Sequence, residues 1–276
     1  MSKPRDFFDL TGRVAVITGG AGLLGTRHAR AIARAGGTPV LADLREAAAQ
    51  ERAREIASEF GVEAWGVSVD VTNLASVEAL RSAVLARHGR IDILINNAAN
   101  NPRQESPGDT AWSRLETFPL AQWDADLAVG LTGAFLCSRV LGAEMARAGR
   151  GVILNVASDL ALIGPDQRLY RQDGVSEEGQ PVKPVSYPVV KSALLGLTRY
   201  LATYWASRGV RCNALSPGGV QNDQPEAFVL RLNALIPLGR MARPDEYEGA
   251  IVFLCSDASS YMTGANLVVD GGRTCW

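Results

Sequence analysis

The chain has 276 residues, 47% of them hydrophobic and 21% charged, which suits one large α/β core. A formal net charge of −1 excludes the basic field that would recruit nucleic acid or an anionic membrane. The start, MSKPRDFFDL, has no long apolar stretch of a signal peptide, and no apolar run reads as a membrane span, so a cytoplasmic protein is expected.

Residues 13–20 (RVAVITGG) predict a strand ending in glycines, and 38–44 (TPVLADL) predict a second. Between them, 23–36 carries Leu24, His28, Ile32 and Ala35 at helical spacing, with Gly36-Gly37 as the stop. A charged helix over 45–61 leads to a strand at 64–70, and a helix over 73–89 leads to a strand at 91–99. A long helix over 123–149 precedes a strand at 151–158. A helix over 186–209 precedes a strand at 210–219, and a helical run over 244–257 precedes the last strand, 265–272. Strands alternating with helices imply one three-layer Rossmann-type α/β domain over 1–276, a doubly wound parallel sheet of about seven strands. Two long polar stretches, 101–119 and 165–186, interrupt the alternation after strand ends, where a ligand crevice is expected. They are read as substrate walls, with plain surface excursions as the alternative.

The run TGGAGLLG, Thr18 to Gly25, follows a strand and opens a helix. Gly19, Gly22 and Gly25 permit a tight turn whose amides approach a pyrophosphate, and the helix N-terminus adds partial positive charge. Leu23 and Leu24 contribute backbone to the same candidate cofactor site. Asp43, followed by Leu44, ends the second strand. A carboxylate there accepts from ribose hydroxyls and repels a 2′-phosphate, favouring NAD over NADP, a preference that Arg45 softens. Capping of the next helix is the alternative for Asp43.

The four cysteines (Cys137, Cys212, Cys255, Cys275) lie far apart without metal spacing and read as small buried apolar residues in a reducing compartment. His28 and His88 are read as neither catalysts nor ligands, and no metal site is expected.

Taken in order, TGGAGLLG, Asp70-Val71, Asn96-Asn97-Ala98-Ala99, Ser158, Tyr187-Pro-Val-Val-Lys191, Asn213-Ala-Leu-Ser-Pro217-Gly218 and Val268-Val-Asp270-Gly-Gly resemble the short-chain dehydrogenase/reductase family across nearly the whole chain. The resemblance implies a Rossmann-fold cytoplasmic oxidoreductase, a homotetramer or homodimer built on the long helices around 122–147 and 187–207. It implies that Asp70 and Val71 flank the adenine, that Asn97, Ala98 and Ala99 line the cofactor, and that Pro217, Gly218, Val220 and Asn222 pass the nicotinamide. The glycine spacing is that of the longer, sugar-nucleotide-modifying branch, with Leu23 where the shorter branch has glycine. The chain's end shortly after VVDGG and its Asn-Asn-Ala-Ala run fit the shorter, reductase branch.

Tyr187 and Lys191 lie one helical turn apart on one face. Hydride transfer from a secondary alcohol requires a base for the hydroxyl proton, and a free phenol, with a pKa of about 10, is too weak near neutrality. A neighbouring ammonium and the nicotinamide cation are expected to lower that value, making Tyr187 the general base or acid. By resemblance Lys191 also binds the nicotinamide ribose, and Ser158 hydrogen-bonds the substrate oxygen.

Two departures from the family pattern stand out. Gly130 occupies the place of an asparagine that completes a proton relay, which implies a kink or close packing with the relay water held by backbone. Asn222 replaces a threonine that contacts the carboxamide. Because 165–186 is rich in hydrogen-bonding groups, the expected substrate is polyhydroxylated: a sugar, sugar acid or amino-sugar derivative. Asn100, Arg103, Arg168 and Tyr170 are its candidate contacts. A nucleotide-sugar epimerase or dehydratase using transient oxidation and a non-catalytic NAD-binding scaffold stay open as alternatives.

Overall fold

The computed structural model describes residues 6–100 and 111–276. Seven parallel strands, β1 Val14–Thr18, β2 Thr38–Asp43, β3 Trp65–Ser68, β4 Ile93–Asn96, β5 Gly151–Val156, β6 Val210–Pro217 and β7 Asn266–Val269, lie in the order β3-β2-β1-β4-β5-β6-β7. Among the described residues the main helices are α1 Leu23–Arg34, α2 Glu46–Phe60, α3 Leu74–His88, α4 Leu120–Arg147, α5 Ser186–Trp205, α6 Glu226–Asn233 and α7 Glu248–Cys255. The strand alternation dictates two cores. Successive side chains of a strand point to opposite faces, so Val16, Leu94 and Ile153 meet Cys137 and Leu141 of α4 and Trp205 of α5. Their neighbours Ile17, Ile95 and Leu154 meet Ile32 of α1, Ile56 of α2 and Ile251 of α7. Each such aliphatic side chain contributes about 1.5–3 kcal/mol when fully buried, and burial on both faces explains why the strands read as unbroken apolar runs.

The observed strands are shorter than the sequence expectation at their C-terminal ends, for a specific reason at β4. The Asn97 and Ala98 amides leave the ladder and donate to Thr18 Oγ1 at 3.0 and 3.1 Å. The fold thereby trades sheet for a polar knot beside the glycine turn.

Helix α4 corrects one expectation. At 28 residues it is long and apolar enough, by length and composition, to cross a membrane, yet 56% of that window is buried against the rest of the protein, as in a core helix. It widens into π turns at Ala128–Thr132 and Ser138–Gly142, a feature frequent near functional sites. A side chain at Gly130 would begin 2.6 Å from Val190 Cγ1, so glycine permits the close approach of α4 to α5. Helix α6, which the periodicity did not reveal, packs Phe228 and Leu232 against Leu169 and Tyr170 of the 165–186 stretch. That insertion is therefore anchored rather than a bare surface excursion. Cys137, Cys212 and Cys255 are buried as expected, but Cys275 is exposed.

Candidate functional site

The chain turns back across the sheet between β3 and β4, so β1 and β4 are neighbours with connections leaving in opposite directions. Ligand crevices form at the C-terminal ends of strands at such a point. The glycine turn fills one side of it. Gly19 has φ 63°, a left-handed conformation open to glycine. At Gly25 a Cβ would lie 2.1 Å from the Gly19 carbonyl oxygen, so only hydrogen lets the turn close on α1. No side chain caps the N-terminus of α1, and no acidic residue occupies its first turn. Those helix-end amides and their partial positive charge face the turn. Asn97 Nδ2 donates to the carbonyls of Thr18 and Gly19 at 2.9 and 3.2 Å, fixing the turn to β4. Thr18, which the sequence reading passed over, is the acceptor that gathers this knot.

Asp43 is buried at the end of β2. Its Oδ2 accepts from the Ala21 amide and its Oδ1 from the Arg45 amide, both at 3.0 Å. It therefore braces the glycine turn; α2 has no side-chain cap. Each oxygen retains a second acceptor position, and Leu44 beside it is exposed. Asp70 Oδ1 accepts from the Thr72 amide and hydroxyl, closing the turn after β3. Val71 is buried against Gly133 of α4. Pro217 ends β6; the Gly218 carbonyl accepts from Tyr247 Oη at 3.0 Å. Gln224, another residue the sequence reading missed, pins the following loop. It donates to the Val220 carbonyl and accepts from the Asn222 amide, both at 2.7 Å. These groups fit a dinucleotide: a glycine cradle that any Cβ would fill, an uncapped helix N-terminus, and a carboxylate at the end of β2.

Across the crevice, β5 delivers Ser158 and α5 delivers Tyr187 and Lys191. Ser158 Oγ donates to Asp159 Oδ1 at 2.7 Å and accepts from the Leu160 amide at 3.2 Å, so it also caps the short turn that follows β5. Tyr187 is partly buried and shares a hydrogen bond with Ser158. Lys191 is buried, its ammonium donating to the Val156 carbonyl at 2.7 Å and lying 5.7 Å from the Tyr187 ring centroid. Burial pulls Lys191 down to about 8, helped by repulsion from Lys183. For Tyr187 the sequence expectation needs correction. Burial raises the phenol above its ordinary value, Asp159 adds to the rise, and the Ser158 hydrogen bond only opposes it. In the protein alone, desolvation wins over the Ser158 hydrogen bond.

The wall around this triad is charged. Arg273, from the end of the chain, donates to Asp159 Oδ2 at 2.7 Å, with both side chains nearly enclosed. Lys183 of the insertion places its ammonium 3.8 Å from the Tyr187 ring centroid. Tyr170 packs its ring at a tilt against Phe228 and is pushed up by burial, with Arg273, Tyr187 and Asp159 as its charged or titratable neighbours. Arg168 is not part of this wall. Its fork closes on Asp166, and its side chain is 80% exposed. Asn100 donates to the Ala125 carbonyl of α4 at 3.3 Å. Ala99 is exposed at the crevice edge, and Arg103 lies outside the described residues. His28 is buried without a hydrogen-bond partner, and His88 contacts Glu63. Among the described residues no group of three or more His, Cys, Asp or Glu is placed to hold a metal ion.

Comparison with known proteins agrees with this fold. Residues 13–170 match the short chain dehydrogenase model, and 174–274 match one described as enoyl-(acyl carrier protein) reductase. The chain is 37% identical to a D-threitol dehydrogenase of Mycolicibacterium smegmatis over 97% of this chain and 95% of that protein. It is 36% identical to a galactitol 2-dehydrogenase (L-tagatose-forming) of Cereibacter sphaeroides over 99% of each. Among solved structures, a gluconate 5-dehydrogenase from Burkholderia cenocepacia in complex with NADP and tartrate superimposes with a TM-score of 0.85 at 32% identity, covering 98% of both chains.

Proposed function

The chain belongs to the short-chain dehydrogenase/reductase family, and on that premise we propose that it is an NAD-dependent dehydrogenase oxidising one secondary alcohol of a polyhydroxylated, carbohydrate-like substrate. The observation that carries this reading is the convergence of Ser158, Tyr187 and Lys191 at the end of β5, facing the glycine turn across one crevice. The polar, charged wall of Asp159, Arg273, Lys183 and Tyr170 supports a hydroxylated substrate over a steroid or acyl chain, which calls for an apolar pocket. The polyol and sugar-acid names of the relatives point the same way. Asp43 supports NAD, because a buried carboxylate at the end of β2 repels a 2′-phosphate.

A nicotinamide dinucleotide, when bound, would supply the hydride acceptor. Gly19, Gly22, Leu23, Leu24 and Gly25 would hold its pyrophosphate through backbone amides, Asp43 would accept from the ribose, and Pro217, Gly218, Val220 and Asn222 would bound the nicotinamide end. Tyr187 takes the proton from the substrate hydroxyl as base. Ser158, whose hydroxyl rests on Asp159 beside Tyr187, would turn its proton to the substrate oxygen and fix that oxygen between the two side chains. Lys191 holds positive charge near the phenolate. The exposed Phe135 of α4 and the stacked, exposed Tyr200 and Tyr204 of α5 support assembly into a homodimer or homotetramer on these helices. Four thiols support a reducing, cytoplasmic compartment.

The test is NADH formation with a panel of tetritols, pentitols, hexitols and aldonates. Net NADH with at least one of them is expected. Interconversion of sugar isomers without net NADH points instead to an epimerase, and NAD binding without turnover to a scaffold.

A further inference from the structure

The insertion over 165–186 brings one ammonium back into the active site, that of Lys183. Lys183 precedes α5, and its amide donates to Gln167 Oε1 at 2.8 Å, which fixes its backbone within the insertion. From there its ammonium lies over the face of Tyr187, 3.8 Å from the ring centroid, closer than the 5.7 Å of Lys191. A cation so near an aromatic face is attracted to the ring even while the phenol is neutral. Phenolate formation adds a full opposite charge to that contact.

The need for a second cation follows from the other groups facing Tyr187. From the end of β5 comes Asp159, a carboxylate that opposes phenolate, and from the chain end Arg273, whose charge is committed to Asp159. From the insertion comes Tyr170, and from α5 itself Lys191. From α4 comes Asp126, which attracts Lys183 and is held by Ser186 and Gln122. Burial also disfavours the phenolate. Lys191 alone therefore works against both desolvation and a neighbouring carboxylate.

We propose that Lys183 is a positioning residue of the reaction, an ammonium supplied by the insertion that stabilises the phenolate form of Tyr187. The proposal rests on Tyr187 being the base. Lys183 acts through that tyrosine, and the insertion becomes part of the catalytic electrostatics as well as a wall. Burial holds Lys183 down to about 8, against the attraction of Asp159 and Asp126, so it carries its charge at neutral pH and surrenders it on the alkaline side.

The experiment compares wild type, K183M, K183R and K183Q, each against the same protein carrying Y187F. The difference in tyrosinate absorbance, followed as pH is raised with and without saturating NAD, isolates Tyr187. K183M is expected to move the Tyr187 midpoint in the NAD complex, where the nicotinamide cation brings phenolate formation toward the range in which Lys183 is still charged, upward by about one pH unit, and the acidic limb of kcat/KM for alcohol oxidation by the same amount. K183R is expected to return both toward wild type, a rescue that a purely structural role would not give. K183Q replaces K183M as the uncharged variant if K183M has lost NAD affinity or thermal stability. An unmoved midpoint and an unmoved acidic limb in the NAD complex of the uncharged variant overturn the assignment of Lys183. Because the titration needs no substrate, absence of turnover with every alcohol overturns the dehydrogenase reading separately.

Discussion

In the half of the crevice formed by β1, β2 and β4, the working groups are backbone amides held by short polar side chains. Thr18 gathers the amides of Asn97 and Ala98, Asn97 grips the carbonyls of the glycine turn, and Asp43 braces it from β2. In the half formed by β5, α5, the insertion and the chain end, they are charged side chains drawn together from afar. Asp159 meets Arg273 across 114 positions of sequence, and Lys183 lies on Tyr187. The first half suits a ligand part that never changes, since amides pointed by a fixed backbone offer one geometry. The second half suits a variable partner, because its charges sit on loops and termini that change without disturbing the sheet.

The largest expected effect separates the two halves. Y187F should lower kcat by about 10³-fold, near the middle of the range for a lost general base, while the Kd for NAD changes by less than about threefold. Loss of NAD binding together with turnover would mean that the halves are not independent. Next is R273M, which leaves Asp159 buried without its partner and should cost about 3–5 kcal/mol in urea unfolding. Adding D159N should recover much of that loss. A near-zero cost for R273M would place the chemical half among surface ion pairs.

A smaller effect belongs to the nucleotide half. His28 on α1 is buried without a partner, and burial holds it down to about 3 from 6.5. The unfolded chain takes up a proton below pH 6.5 that the folded one refuses, so this group costs stability as pH falls through the window from 6.5 to 3. Between pH 6.5 and 5 the loss amounts to about 2 kcal/mol, measured by chemical denaturation, and H28L should flatten that slope. The smallest is D43S, expected to raise the NADP-to-NAD ratio of kcat/KM by about tenfold, or about 1.4 kcal/mol. No change would leave Asp43 as a brace alone.

The same contrast governs what was legible in the sequence. The strand alternation, the glycine turn with Asp43, and the order of Ser158, Tyr187 and Lys191 rest on local spacing, and the fold followed them closely. Gly130 signalled close packing, and its distance to Val190 supplies the reason. Asp159, Lys183 and Arg273 carried no local signal, since contacts between charges closed by tertiary folding leave no periodicity. Arg168 has the converse character: its partner, Asp166, lies two residues away, so its fork is engaged locally. The raised phenol of Tyr187 was likewise invisible, because desolvation depends on what packs around a group rather than on its neighbour one turn on.

The most direct measurement follows deuterium from the carbinol carbon of an accepted polyol in the presence of NAD. The account predicts net reduced cofactor bearing one deuterium at the nicotinamide ring, formed by the wild type and suppressed in Y187F. Substrate converted with its label intact and no labelled NADH, or label transfer undiminished in Y187F, would contradict it.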